Sequence, residues 1–141
     1  MNNKKDVLIT IHDEQLSDGE SEKLELTTTG TLTCSDAGVR VEYDELEGEL
    51  SGSVTSLLID SPTCVTMQRG GAYNSQLIIE QNKRHSCYYD TPYGSFMMGV
   101  FARRVHASVT ESGGTLDMEY TVDFNSGLAA ENIMHITVTE L

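Results

Sequence analysis

Apolar and polar residues alternate with a period of two along nearly the whole chain, and no stretch carries a convincing helical period. Val7, Ile9 and Ile11 share one face of a first strand, although Leu8 on the other face makes it partly two-sided. In the second strand Leu24, Leu26, Thr28, Gly30 and Leu32 point one way, while Lys23, Glu25, Thr27, Thr29, Thr31 and Thr33 point the other. Gly30 in mid-strand predicts a bend or a close backbone approach. The third strand sets Val39, Val41, Tyr43 and Glu45 against Arg40, Glu42 and Asp44. Residues 54–60 and 64–69 form a further pair around Ser61-Pro62, and residues 73–80 and 85–90 follow. A long run over 95–110 precedes an alternating segment carrying Leu116, Met118, Tyr120, Val122 and Phe124. Residues 125–132 read as a loop with one helical turn at Leu128-Ala129-Ala130-Glu131, before a last strand over 133–141.

Turn chemistry punctuates these runs. Ser17-Asp18-Gly19-Glu20 contains the Asp-Gly pair that favours a hairpin, and Asp36-Ala37-Gly38, Gln81-Asn82-Lys83 and Ser112-Gly113-Gly114 make further turns. Residues 47–53 are polar and glycine-containing, a loop rather than a linker. Thr91-Pro92-Tyr93-Gly94 reads as a corner that re-aims a strand within its sheet, because proline holds the preceding residue extended and glycine tolerates positive φ. Short sequential connections favour an up-and-down order, and a sheet of that length closes to remove its edges. The expectation is an all-β fold: one antiparallel up-and-down barrel of about eight to ten strands over residues 1–141, its last strand pinned against its first.

Composition narrows the partners. The 22 acidic residues outweigh 9 basic ones, for a net charge of −13. Such a field repels nucleic acid, whose phosphates need a Lys/Arg surface, and disfavours an anionic membrane. The segment after Met1 is far too short in apolar residues for a signal peptide or membrane span. Three cysteines with no C-x-x-C pair argue against a disulfide framework and suit a reducing cytoplasm.

No motif specifies a reaction. His12, His85, His106 and His135 lie on separate segments, as do Cys34, Cys64 and Cys87, so no metal site or cofactor is expected. A nucleophile elbow and a phosphate loop are both missing, and no catalytic residue is assigned. One constellation remains. Arg69 shares strand parity with Val65 and Met67, Tyr43 and Glu45 share it with Val39 and Val41, and Tyr89, Thr91 and Tyr93 share it with Cys87. If apolar residues mark the inside, these groups project into the barrel. Arg103 and Arg104 fall on opposite faces of the long strand, so one of them, taken as Arg103, joins the inside or the rim. Met67, Met97, Met98 and Met118 are candidates for an adaptable apolar lining.

Tyr43-x-Glu45, Arg69-Gly70, Tyr89-x-Thr91-Pro92-Tyr93-Gly94 and Asn132 together resemble the bacterial YwiB-like family, over about residues 6–139. The resemblance implies a calycin-type, lipocalin-like barrel and no activity. The G-x-W signature of true lipocalins is absent, since the chain has no Trp.

Two functions fit. In the first, a non-enzymatic cytoplasmic barrel holds a small polar or partly apolar ligand in contact with Tyr43, Glu45, Arg69, Tyr89, Thr91, Tyr93 and Arg103. In the second, Glu45 and Arg69 form a salt-bridged plug in a filled core, and the protein is an interaction module, monomeric or homodimeric.

Overall fold

The computed structural model describes residues 3–17, 19–36, 38–45, 52–71, 74–124 and 127–141. Ten strands account for nearly all of them: β1 (Asn3–Ser17), β2 (Glu20–Ser35), β3 (Gly38–Asp44), β4 (Val54–Ser61), β5 (Cys64–Gly70), β6 (Asn74–Glu80), β7 (Arg84–Thr91), β8 (Gly94–Thr110), β9 (Gly113–Phe124) and β10 (Gly127–Glu140). Each pairs antiparallel with its sequence neighbour, and β1 closes on β10 from Val7–Glu140 to Leu16–Glu131. The result is a closed up-and-down barrel.

Alternation decides the inside. Val7, Ile9 and Ile11 on β1, Val65 and Met67 on β5, and Leu116 and Met118 on β9 are buried, while their neighbours along each strand face outward. At Gly30 the wall is so close that a Cβ would collide with the Glu42 carbonyl oxygen and the Ile9 side chain. The expected close approach is therefore real, and it lies where β1, β2 and β3 meet.

Three local expectations are corrected. Thr91-Pro92-Tyr93-Gly94 is a hairpin turn that pairs Thr91 with Gly94 and separates β7 from β8, rather than a corner within one strand. Residues 128–131 are strand, not a helical turn, and the irregularity between Leu128 and Ala130 is a bulge in the β9–β10 ladder. Neither Arg103 nor Arg104 faces inward. A bulge between Ala102 and Arg104 re-phases β8, whose buried face switches from Met98, Val100 and Ala102 to Val105, Ala107 and Val109. The expected loop over 47–53 falls mostly outside the described residues, as do Asp18, Ala37 and Tyr73.

One end of the barrel is sealed by its own turns. The amide of Ala107 donates to the Pro62 carbonyl, that of Gln81 to Thr63, and that of Asn82 to Ala102. The Val105 amide, re-aimed by the bulge, donates to the Gln81 side chain at 3.0 Å. These contacts draw the β4–β5 and β6–β7 turns across the end and onto β8. Polar inward residues gather at the opposite end.

Candidate functional site

Inward positions near the open end form a cavity of about 480 Å³. Ile11, Leu26, Leu77, Met98, Val122 and Met134 give it an apolar wall, and Asp13, Tyr43, Glu45, Arg69, Tyr89 and Tyr120 supply its polar groups. Strand parity delivers each of these. Asp13 is next in the inward series of Val7, Ile9 and Ile11 on β1, Arg69 follows Met67 on β5, and Tyr120 follows Met118 on β9.

Arg69 is the centre of the polar cluster. Its Nε donates to the Thr55 hydroxyl at 3.4 Å, and that hydroxyl donates to the Glu45 carboxylate at 2.8 Å. Thr55 therefore stands between arginine and glutamate, and among the described residues no ion pair joins Arg69 to a carboxylate. Burial pushes the Tyr43 phenol well above its ordinary range, with the Glu45 charge adding to the rise and Arg69 opposing it. Burial likewise pushes Tyr120 up to about 12, with Asp13 raising and Arg69 lowering it. Both tyrosines stay neutral donors at any physiological pH. Burial raises the Asp13 carboxyl too, against the pull of Arg69, and its buried Oδ1 has no hydrogen-bond partner. A buried acceptor left unmade is costly, so this atom points to a missing donor.

The structure brings together Tyr43, Glu45, Arg69 and Tyr89. It does not bring Tyr93 or Arg103 to them. Tyr93 sits in the β7–β8 turn with 89% of its surface exposed, because strand parity ends with the strand at Thr91. Arg103 is held outside by Glu119 at 3.0 Å. The side chain of Thr91 lies outside the described residues. Met98 lines the cavity, Met67 and Met118 lie deeper in the core, and Met97 is exposed. Sequence reasoning missed Asp13, Thr55 and Tyr120, although all three carry the inward parity of buried neighbours.

A second feature borders the same arginine. Strands β6 and β7 pair only at Asn74–Asp90 and Ser75–Tyr89 among the described residues, whereas β5–β6 is laddered from Cys64–Glu80 to Arg69–Ser75 and β7–β8 from Arg84–Phe101 to Thr91–Gly94. Beyond Ser75 the two strands stay neighbours without ladder pairing among the described residues, and the Glu80 and His85 side chains meet at the far end at 2.9 Å. An outer groove of about 650 Å³ overlies this seam, walled by Gln76, Ile78, Ser86 and Tyr88. Arg69 and Ser75 border both the groove and the interior cavity.

Comparison with known proteins adds fold and family. Residues 9–136 match a family described as a domain of unknown function (DUF1934). The crystal structure of ywiB protein from Bacillus subtilis is similar, with a TM-score of 0.87 at 19% identity over 98% of this chain and 93% of that one. At that identity the likeness is one of fold. No curated protein matches the sequence.

Proposed function

The chain belongs to the DUF1934 family, a domain of unknown function, and on that premise we propose that its barrel binds a small amphiphile in the interior cavity. The ligand's polar head accepts hydrogen bonds from Arg69 and donates one to Asp13, and its apolar body lies against Leu77, Met98 and Met134. The observation that carries the reading is the inward guanidinium of Arg69, which has no carboxylate in ion-pair range among the described residues, beside the orphaned Asp13 Oδ1. A head group with both acceptor and donor character, such as a hydroxy acid or an amide, satisfies both atoms at once. Tyr120, kept neutral by burial, adds a donor to the same head, while Tyr43 is engaged with Glu45 and Thr55 beside it. Tyr89 and Glu45 flank it. The reading is of a binding protein rather than an enzyme, a single barrel domain of the cytoplasm. Three free cysteines accord with that compartment.

Native mass spectrometry of protein purified from its own host tests this. The expected spectrum shows a discrete added mass that disappears on denaturation and is absent from Arg69→Met. A bare mass for the wild type sinks the proposal.

The rival reading, a homodimer or interaction module with a filled core, draws on one observation. Tyr88 and Met97 are cross-strand partners on the outer face of β7–β8, and they are 63% and 53% exposed. A bare mass of twice the chain would favour it.

A further inference from the structure

The outer wall carries a second constellation, independent of the cavity. Register places Glu25 on β2 beside His12 on β1, His12 beside His135 on β10, His135 beside Asp117 on β9, and Asp117 beside His106 on β8. These five residues form one row across five adjacent strands. Its centre is the pair of imidazoles, whose ring centroids lie 6.4 Å apart.

We propose that His12 and His135 are a chelating pair for one late first-row divalent cation, such as zinc, nickel or copper(II), on the outside of the barrel. The ring chemistry supports this atom by atom. His135 Nδ1 is hydrogen-bonded to the Asp117 carboxylate, so in the neutral ring that nitrogen carries the proton and Nε2 keeps the lone pair a metal needs. Nε2 has only a long contact, 3.4 Å, with the Thr137 hydroxyl. His12 has no such hydrogen bond; its Nδ1 lies 3.9 Å from the Glu25 carboxylate, close enough for a small ring rotation to bring the two together. A carboxylate behind a histidine raises the basicity of the other ring nitrogen and orients it for metal. His135 therefore has an orienting carboxylate on the strand beyond it, and His12 has one within ion-pair range.

Geometry limits the claim to two protein ligands. Among the described residues no group of three or more His, Cys, Asp or Glu side chains is placed to hold a metal ion. Two imidazoles on a tetrahedral cation sit roughly 5 Å apart, centre to centre, given metal–nitrogen bonds of about 2.0–2.1 Å. The pair has to close by about 1 Å, within reach of side-chain rotation for rings whose side chains are 51% and 44% exposed. Water completes the coordination sphere. Nitrogen donors select the late first-row metals over magnesium or calcium, which take oxygen.

The test is a titration of the full chain with nickel(II), followed by NMR of the imidazole ring protons, with thiols blocked so that Cys34 and Cys64 do not compete. The expected result is saturable binding of one cation per chain that broadens the His12 and His135 signals. His12→Ala and His135→Ala should each abolish it, and Asp117→Asn should weaken it about tenfold by removing the orienting carboxylate. His106→Ala should leave the affinity within twofold, since it lies beyond Asp117. All four side chains are on the outer wall, so unchanged circular dichroism confirms that the variants fold. Absence of saturable binding, or binding that survives in either histidine variant, overturns the proposal.

Discussion

Two walls of this barrel are built differently. From β2 through β1, β10 and β9 to β8, long strands run in nearly unbroken ladders, as in the β1–β2 register from Asn3–Cys34 to Ser17–Glu20. On the opposite side β6 and β7 are laddered only at Asn74–Asp90 and Ser75–Tyr89 among the described residues. Both walls bury apolar residues on the inside, so burial does not distinguish them. Backbone pairing does. The barrel concentrates its rigidity in one wall and leaves a weak seam in the other, beside the arginine that carries its interior chemistry.

The contrast can be broken most severely in the strong wall. Gly30→Val forces a side chain against the Glu42 carbonyl and Ile9. It should cost roughly 3 kcal/mol or more, enough to unfold much of the protein, as read by urea denaturation. A near-wild-type midpoint would mean that the wall yields as easily as the seam.

Hydrogen exchange sharpens the comparison without mutation. Amides of β6 and β7 that point into the seam should exchange about a hundredfold faster than those of the β1–β10 ladder. Equal protection would show the seam closed in solution. Arg69→Met comes next: ligand affinity should fall about tenfold to a hundredfold, the worth of a charge-assisted hydrogen bond, with little change in melting temperature. Marked destabilisation would instead favour a structural role for the arginine.

The smallest effect belongs to Asp13→Asn. Burial raises the Asp13 carboxyl in the folded state, so ionisation opposes folding once pH exceeds the unfolded value. Removing the charge should raise the melting temperature modestly at pH 7. The difference from wild type should shrink as pH falls and the native carboxyl protonates. A gain that persists unchanged at pH 3 would assign it to packing instead.

Legibility in the sequence followed the range of the interaction. Strand parity is local, and it correctly turned Tyr43, Glu45 and Arg69 inward; it also set Tyr120 in one series with Leu116 and Met118 without making it a site residue, and carried one step past Ile11 it would have reached Asp13. It failed where the backbone loses count. The bulge at Arg103 adds a residue to β8 that no residue type announces, and Tyr93 keeps its parity on paper after the strand has ended. Leu128-Ala129-Ala130-Glu131 carries helix-favouring residues, yet pairing with β9 holds it in the sheet. The seam was beyond reach, and of the His12–His135 row only the meeting of the first and last strands was legible, not the register that sets the two rings side by side. Both depend on which strands meet and in what register, and the two histidines are brought together across almost the entire length of the chain.

That last pairing also sets an order of events. Joining Val7 to Glu140 closes a loop through every other strand, so the ladder that shuts the barrel rewards the chain only after nearly all its entropy has been lost. The thinly paired β6–β7 hairpin, by contrast, joins residues close in sequence. The β1–β10 ladder that shuts the barrel is thus the last to form, and until it does β1 and β10, each already able to pair with its sequence neighbour, present one open edge apiece.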